Sequence, residues 1–266
     1  MKKIRLDLLL TRKGLAASRE KAQALILAGR VLVNNQPALK PGQQVSPDSE
    51  LSLQEPFPFV SRAGAKLEQG LRSFKISVAG KVALDIGSST GGFTDCLLQA
   101  GARKVYAVDV NINQLDWKLR QDPRVVTLEK NARYLQPEDL SEIPELTVID
   151  VSFISVLKIL PAVRKIMGSG QVLVLVKPQF EAGRNQVGKK GIIRDSRVHR
   201  EVLEKVLAAA GQMGYAVHDL LRCDTLGQKG NREFLAWLSP GPGGLNPEEL
   251  RKKIQEIVPD GDQTKN

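Results

Sequence analysis

The chain has 266 residues, 42% of them apolar, enough to bury a good core in one large or two unequal domains. Thirty-nine Lys/Arg against 29 Asp/Glu leave a formal charge of +10, which suits a polyanionic partner such as nucleic acid. Two cysteines, Cys96 and Cys223, and two histidines, His199 and His218, stand at no metal-ligand spacing and exclude a disulfide framework or a zinc cluster.

The first ten residues start basic and turn apolar, as a secretory leader does, but Asp7 and then Thr11-Arg-Lys-Gly14 cut the apolar run short. No stretch approaches the roughly 20 apolar residues that span a bilayer, so no membrane partner and a cytoplasmic site of action are expected. Residues 1–54 hold nine Lys/Arg against four Asp/Glu. Leu6, Leu9 and Leu10 predict a helix that stops at Gly14. Ser18 predicts the cap of a second helix, carrying Ala22, Leu25 and Ile26 and stopping at Gly29. Val31-Leu-Val33 predicts a strand, with turns at Asn34-Asn35 and Lys40-Pro-Gly42.

Residues 55–61 form a proline-stiffened linker. Beyond it, strands are predicted near 82–86, 104–109, 125–128, 146–151, 171–176, 215–222 and 232–238. Helical patterns fall near 63–73, 92–100, 112–119, 155–167 and 196–213. That alternation predicts a mostly parallel sheet covered on both faces. After Ser239 the run Pro-Gly-Pro-Gly-Gly breaks the fold, and residues 240–266 read as a tail with a short charged helix near 247–258 and a disordered end.

Val82-Ala-Leu-Asp-Ile-Gly-Ser-Ser-Thr-Gly-Gly-Phe-Thr-Asp95 joins an apolar strand to a glycine-rich turn and the start of a helix. Such a turn lets the backbone approach a small molecule and aims a helix N-terminus at it. Alone it is compatible with a dinucleotide, a nucleoside cofactor or no ligand. Asp85, two residues before Gly87, is more typical of S-adenosylmethionine (SAM) sites, where it takes the cationic amino-acid end directly or through water. Asp109 ends the next apolar run and is placed for ribose hydroxyls. The candidate cofactor residues are Asp85, Gly87, Ser88, Gly91, Phe93, Asp109, Val110, Asn131 and Ala132, the last two just past the third strand, where an amide can read adenine.

Asp150 and Lys177 fall at the carboxyl ends of the fourth and fifth predicted strands, where open α/β sheets bind ligands. A lysine closing a five-residue apolar run is costly as a mere core residue. Glu233 opens the last strand, and Lys66 lies on the helix before the first. The expectation is that Lys66, Asp150, Lys177 and Glu233 meet beside a methyl donor and carry catalysis.

Residues 60–239 resemble the FtsJ-type 2′-O-ribose RNA methyltransferases in Asp85-Ile-Gly-Ser-Ser-Thr-Gly-Gly-Phe93 and in those four charged residues, which match that family's Lys-Asp-Lys-Glu tetrad. Residues 5–54 resemble the S4 RNA-binding domain in Arg5-Leu-Asp-Leu-Leu-Leu10, Ser18-Arg19, Gly29-Arg-Val-Leu-Val-Asn34 and Lys40-Pro-Gly42. Asn35 departs from the usual glycine, a change that asparagine's tolerance of left-handed turns absorbs. The pairing, with Val151-Ser-Phe-Ile-Ser155 and Val176-Lys-Pro-Gln-Phe-Glu181, resembles the TlyA family, often labelled haemolysin. The resemblance implies a small α+β S4 domain over 1–54 and, over 62–239, a Rossmann-like SAM-dependent methyltransferase with a seven-stranded mostly parallel sheet. It also implies a ribosomal RNA or ribosomal subunit as partner, a cytidine 2′-hydroxyl as acceptor and no metal, and a monomer is favoured.

Arg5, Arg12, Lys13, Arg19, Lys21 and Arg30 are candidates for a phosphate-binding face on the small domain. Arg62 and Arg133 flank the expected pocket, and the loop Gly183–Arg194, with Lys189 and Lys190, reads as a lid that orders on RNA. Amino-group methylation fits less well, because Asp150-Val-Ser-Phe153 lacks the proline pair of that chemistry, and neither cysteine is placed for carbon-5 methylation. The rival readings are a non-catalytic S4 ribosome-assembly factor, a dinucleotide-dependent oxidoreductase and a membrane-active haemolysin.

Overall fold

The structure, a computed structural model, describes residues 3–27, 29–38, 40–53, 58–188 and 191–261. Contacts divide the chain into two units, Met1–Phe57 and Pro58–Asn266. In the first unit β1 (Ile4–Arg5) leads into α1 (Leu6–Arg12), then α2 (Arg19–Leu27), β2 (Val31–Val33), β3 (Gln36–Pro37), β4 (Gln44–Val45) and β5 (Leu51–Leu53). The helical spacing of Leu6, Leu9 and Leu10 buries all three against Ala22 and Ile26 of α2 and Val31 of β2. Gly14 ends α1 at φ +70°, and the Ser18 hydroxyl accepts from the Lys21 amide at 3.2 Å. Asn34 and Asn35 sit at φ +50° and +61°, the paired left-handed turn that joins β2 to β3.

The second unit runs α3 (Arg62–Ser73), β6 (Val82–Ile86), α4 (Gly92–Gln99), β7 (Lys104–Asp109), α5 (Trp117–Gln121), β8 (Val125–Glu129), β9 (Leu146–Ile149), α6 (Leu160–Ile166), β10 (Gln171–Val176), α7 (Pro178–Glu181), α8 (Ser196–Gln212), β11 (Tyr215–Arg222), β12 (Phe234–Pro240) and α9 (Pro247–Ile257). Among the described residues its strands form one seven-stranded sheet of order β11-β12-β10-β9-β6-β7-β8. Neighbours from β10 to β8 pair in parallel, and β12 is antiparallel to both β10 and β11. Side chains alternate across this sheet. Val82, Leu84, Ile86, Val172, Val174 and Val176 enter one core layer with α6, α8 and α9. Ala83, Val105, Ala107, Leu173 and Leu175 enter the other with α3 and α4.

Three expectations are corrected. The helix predicted over 112–119 is a 3-10 turn at Ile112–Gln114 followed by α5, because the Asp116 carboxylate accepts from the Lys118 amide and starts a new helix. The one predicted over 155–167 is likewise divided, into a turn at Val156–Lys158 and α6, with Pro161 in the first turn of the latter. The tail is no departure from the fold: α9 starts in a capping box between Asn246 and Glu249 and buries Ile254 and Val258 in the main core. Its expected disordered end, 262–266, lies outside the described residues, as do linker positions 55–57.

Candidate active site

Parallel strands deliver their carboxyl ends to one edge of the sheet, and the candidate residues gather there. The strand order reverses between β6 and β9, which opens a crevice between their ends. Gly87 leaves β6 at φ +84° so close to β9 that a Cβ would lie 2.5 Å from the Asp150 carbonyl oxygen. Asp150 follows β9 and Lys177 follows β10. Glu233 reaches the same edge from the start of β12, because an antiparallel strand begins where its parallel neighbours end.

One cavity of about 240 Å³ is lined by Arg62, Lys66, Ser88, Asp150, Lys177 and Glu233, among others. Two ion pairs occupy it. Lys177 Nζ lies 2.5 Å from Asp150 Oδ1 and donates to Ser152 Oγ at 2.9 Å. Lys66 Nζ donates to Glu233 Oε2 at 2.5 Å, and the side chains are 8% and 3% exposed, so each charge depends on the other. Gly227 shapes this corner, since a Cβ there would come within 1.9 Å of Glu233 Oε1.

A second cavity, of about 370 Å³, shares Gly87, Ser89, Asp150 and Ser152 with the first and extends past Asp109, Val110, Asn131 and Ala132. The Asp109 carboxylate accepts from the amides of Ser89 at 2.9 Å and Asn111 at 3.0 Å, which ties the glycine-rich turn to the end of β7. Asn131 Oδ1 accepts from the Arg133 amide at 3.1 Å, so this side chain caps a turn while lining the cavity. Ser88 and Phe93 line the first cavity, and the buried Ser88 hydroxyl has no partner among the described residues.

Two proposed cofactor residues are placed otherwise than expected. Asp85 is wholly buried and lines neither cavity. Its Oδ2 accepts from the Thr94 hydroxyl at 2.6 Å, and burial pushes its carboxyl up to about 7. β6 points it into the layer beneath the turn, with Oδ1 left without a partner among the described residues. Gly91 also lines neither cavity: at φ +97° it makes room for α5, and a Cβ there would meet Leu119 at 2.2 Å. Its neighbour Gly92 does line the first cavity.

The basic candidates divide in the same way. Arg5 donates to both oxygens of buried Asp7, at 3.0 and 2.8 Å, and Arg19 to one of them at 3.1 Å. These contacts hold the Asp7 carboxyl far below the usual range. Both guanidiniums were candidates for a phosphate-binding face, and in the fold they neutralise a carboxylate that would be prohibitive to bury unpaired. Lys13 donates to the Ser49 carbonyl at 2.8 Å. Arg12 and Lys21 are exposed, and Lys21 and Arg30 line a shallow cavity with Leu15 and Leu25. Arg62 is exposed and lines the first cavity, and the Arg133 guanidinium lies 5.5 Å from the Tyr134 ring centroid.

Lys189 and Lys190 lie outside the described residues. Their loop was expected to be a mobile lid, yet its described flanks are tied down. Gln186 Nε2 donates to Glu201, and Asn231 accepts from the Ile193 amide and donates to the Gly191 carbonyl.

Ser152, Phe153, Phe180 and Glu181 stand in the two segments quoted for the family resemblance, but sequence reasoning gave none of them a role. Phe153 is 85% exposed at φ +63°, and its ring lies 5.1 Å from that of Phe180, which in turn stands 6.0 Å from Lys177 Nζ. Cys96 and Cys223 are buried with thiols pushed up to about 12 by desolvation, unsuited to nucleophilic work at neutral pH. Among the described residues no group of three or more His, Cys, Asp or Glu is arranged to hold a metal ion, and no helix is long and apolar enough to cross a membrane.

Comparison with known proteins agrees with this geometry. Residues 59–239 match the family model of FtsJ-like methyltransferases and residues 4–51 that of the S4 domain. YqxC of Bacillus subtilis, provisionally named as an rRNA methyltransferase, is 48% identical over 99% of this chain and 95% of its own. The 16S/23S rRNA (cytidine-2′-O)-methyltransferase TlyA of Mycobacterium tuberculosis is 42% identical over 98% of this chain and 99% of its own. A solved structure of a hemolysin-labelled protein from Streptococcus thermophilus shares 46% identity at a TM-score of 0.75, covering 97% of this chain and 96% of that one. An S4 domain ahead of two ion pairs set at the strand ends of a methyltransferase sheet places the chain in the TlyA family of FtsJ-like methyltransferases.

Proposed function

We propose that the protein transfers a methyl group from SAM to the 2′-hydroxyl of a cytidine ribose in ribosomal RNA, working in the cytoplasm. The observation that carries this reading is the pair of ion pairs, Lys177–Asp150 and Lys66–Glu233, lining one cavity. The two cavities share Gly87, Ser89, Asp150 and Ser152, which suits a donor lying along the second with its amino-acid end reaching Ser88 at the edge of the first, where the acceptor enters. The name of the Mycobacterium relative supplies the cytidine and the rRNA.

The residues fit SAM. Asp109, on the second cavity, suits ribose hydroxyls, Val110 and Ala132 offer apolar contact for adenine, and the unpartnered Ser88 hydroxyl is available to the amino-acid end. Asp85 acts beneath the turn, holding it through Thr94. Bound there, SAM supplies an electrophilic methyl carbon.

The chain's own residues do the rest. Lys177 Nζ donates a hydrogen bond to the ribose 2′-oxygen and orients it, while Asp150 fixes the amine from the other side. The bond from the 2′-oxygen to the methyl carbon would form as that carbon's bond to the sulfonium sulfur breaks, leaving the neutral thioether, while the hydroxyl proton passes to the Asp150–Lys177 pair. Lys66 and Glu233 line the same cavity and complete the positioning, which by itself supplies much of the rate. The exposed Phe153 ring gives the acceptor base a stacking surface. Arg62 and Arg133, with Arg12, Lys21 and Arg30 of the small domain, attract phosphates.

Purified protein, incubated with isotopically labelled SAM and rRNA from cells lacking it, should place label in 2′-O-methylcytidine on digestion and mass spectrometry. Lys177→Ala should abolish the label while SAM still binds by calorimetry. Label found on a base, or an unchanged rate in Lys177→Ala, defeats the proposal.

A further inference from the structure

We infer that Glu181 is a positioning residue for this site: it clamps the turn after β9 onto the turn after β10 and thereby sets where Asp150, Ser152 and Lys177 meet. The inference rests on the transfer reaction proposed above. Glu181 stands four residues beyond Lys177, at the end of α7, and is 7% exposed. A carboxylate that buried needs partners, and it has two on the neighbouring turn. Oε2 accepts from the Ser155 hydroxyl at 2.6 Å and Oε1 from the Val156 amide at 2.8 Å. Glu181 lines neither cavity, so it reaches the reaction only through other residues.

The clamped segment needs an anchor. Between Asp150 and Ser155 the chain takes a left-handed step at Phe153, φ +63°, which costs energy for any residue with a Cβ. Such a step persists only where the chain is held on both sides. On the near side the Asp150 amide donates to the Ile86 carbonyl at 2.9 Å. On the far side Glu181 grips Ser155 and Val156. Held between them are Ser152, the acceptor for Lys177 Nζ, and Phe153, whose ring meets that of Phe180 on the same short helix as Glu181. Without Glu181 the left-handed step relaxes, Ser152 leaves Lys177, and the amine loses one of its two fixed partners.

The test uses the full chain with Glu181→Ala, Glu181→Gln and Ser155→Ala. SAM affinity is measured by calorimetry, kcat and KM with rRNA by label transfer, and exchange of the Val156 amide by mass spectrometry or NMR. Glu181→Ala should lower kcat at saturating SAM about 100-fold, the scale of a misplacement of about 1 Å, with the KM for RNA unchanged and SAM affinity reduced far less than kcat, since Ser152, Phe153 and Ile154 also line the second cavity. Its Val156 amide should exchange faster. Glu181→Gln, whose amide oxygen still accepts from Val156, should recover most of the rate. A folded Glu181→Ala that keeps full kcat overturns the inference, and so does a rate loss explained by lost SAM binding. Should Glu181→Ala fail to fold, Ser155→Ala takes its place: a partial fall in kcat supports the clamp, and full kcat overturns it. A wild-type chain that transfers no label to rRNA ends the proposed reaction instead, and Val156 exchange, which needs no RNA, then decides the clamp by itself.

Discussion

Lys66 and Glu233 are 167 residues apart in the chain and joined at 2.5 Å in the fold. Removing one partner strands the other's charge in a buried corner, whereas replacing both with apolar side chains leaves nothing unpaired. Lys66→Ala should therefore destabilise the protein by about 3 kcal/mol in urea denaturation, and Lys66→Met with Glu233→Leu should restore most of that loss. Methyl transfer should stay absent in both. A double variant that regains activity along with stability would reduce the pair to scaffolding. Asp150, Lys177 and Glu233 were recognisable as candidates because each abuts an apolar run that ends at the sheet's edge, whereas Lys66, on α3, stood out through the resemblance to the tetrad. The pairing of the four was not recognisable, since no spacing in the chain tells which lysine meets which acid. The same limit hid the engagement of Arg5 and Arg19: a basic side chain reads as a phosphate ligand until the fold puts a buried Asp7 beneath it.

At the scale of elements, strands were the most legible, because runs such as Val172-Leu-Val-Leu-Val176 are buried on both faces and have no other place to go. Helix ends set by a single acid, as at Asp116, were missed, since a local hydrogen bond outweighed the apolar spacing. The tail helix was foreseen but its docking was not. Its apolar residues are sparse, and only the fold shows Ile254 and Val258 against the core, Lys253 beside Asp219 at 3.1 Å and Arg200 donating to the Val258 carbonyl. Ile254→Ala should cost about 3 kcal/mol in denaturant unfolding of the methyltransferase unit, the range for truncating a fully buried isoleucine. A loss near zero would return α9 to the status of an appendage. The Phe153 step and the Glu181 clamp escaped notice because a phenylalanine and a glutamate carry no local signal for left-handed geometry or a long-range cap.

For the whole molecule, charge and division into units matter together. Residues 1–57 make a unit with its own core of Leu6, Leu9, Leu10, Ala22, Ile26 and Val31. The remaining unit holds all four tetrad residues and both joined cavities. Deleting residues 1–57 should leave a folded protein that binds SAM with unchanged affinity by calorimetry but loses most of its affinity for rRNA. The full chain's binding should weaken steeply as salt rises, and the truncated chain's less so, as expected when phosphate contacts are removed. Equal salt slopes for the two would show that the small unit takes no part in holding RNA.

The antiparallel entry of β12 has a consequence for the protein's birth. Asp150 and Lys177 are translated well before Glu233, so for an interval the nascent chain carries the Lys66 amine with no carboxylate to receive it. The corner it will occupy cannot desolvate until β12 slots between β10 and β11. Insertion of that late strand thus closes the sheet and completes the Lys66–Glu233 corner in one event.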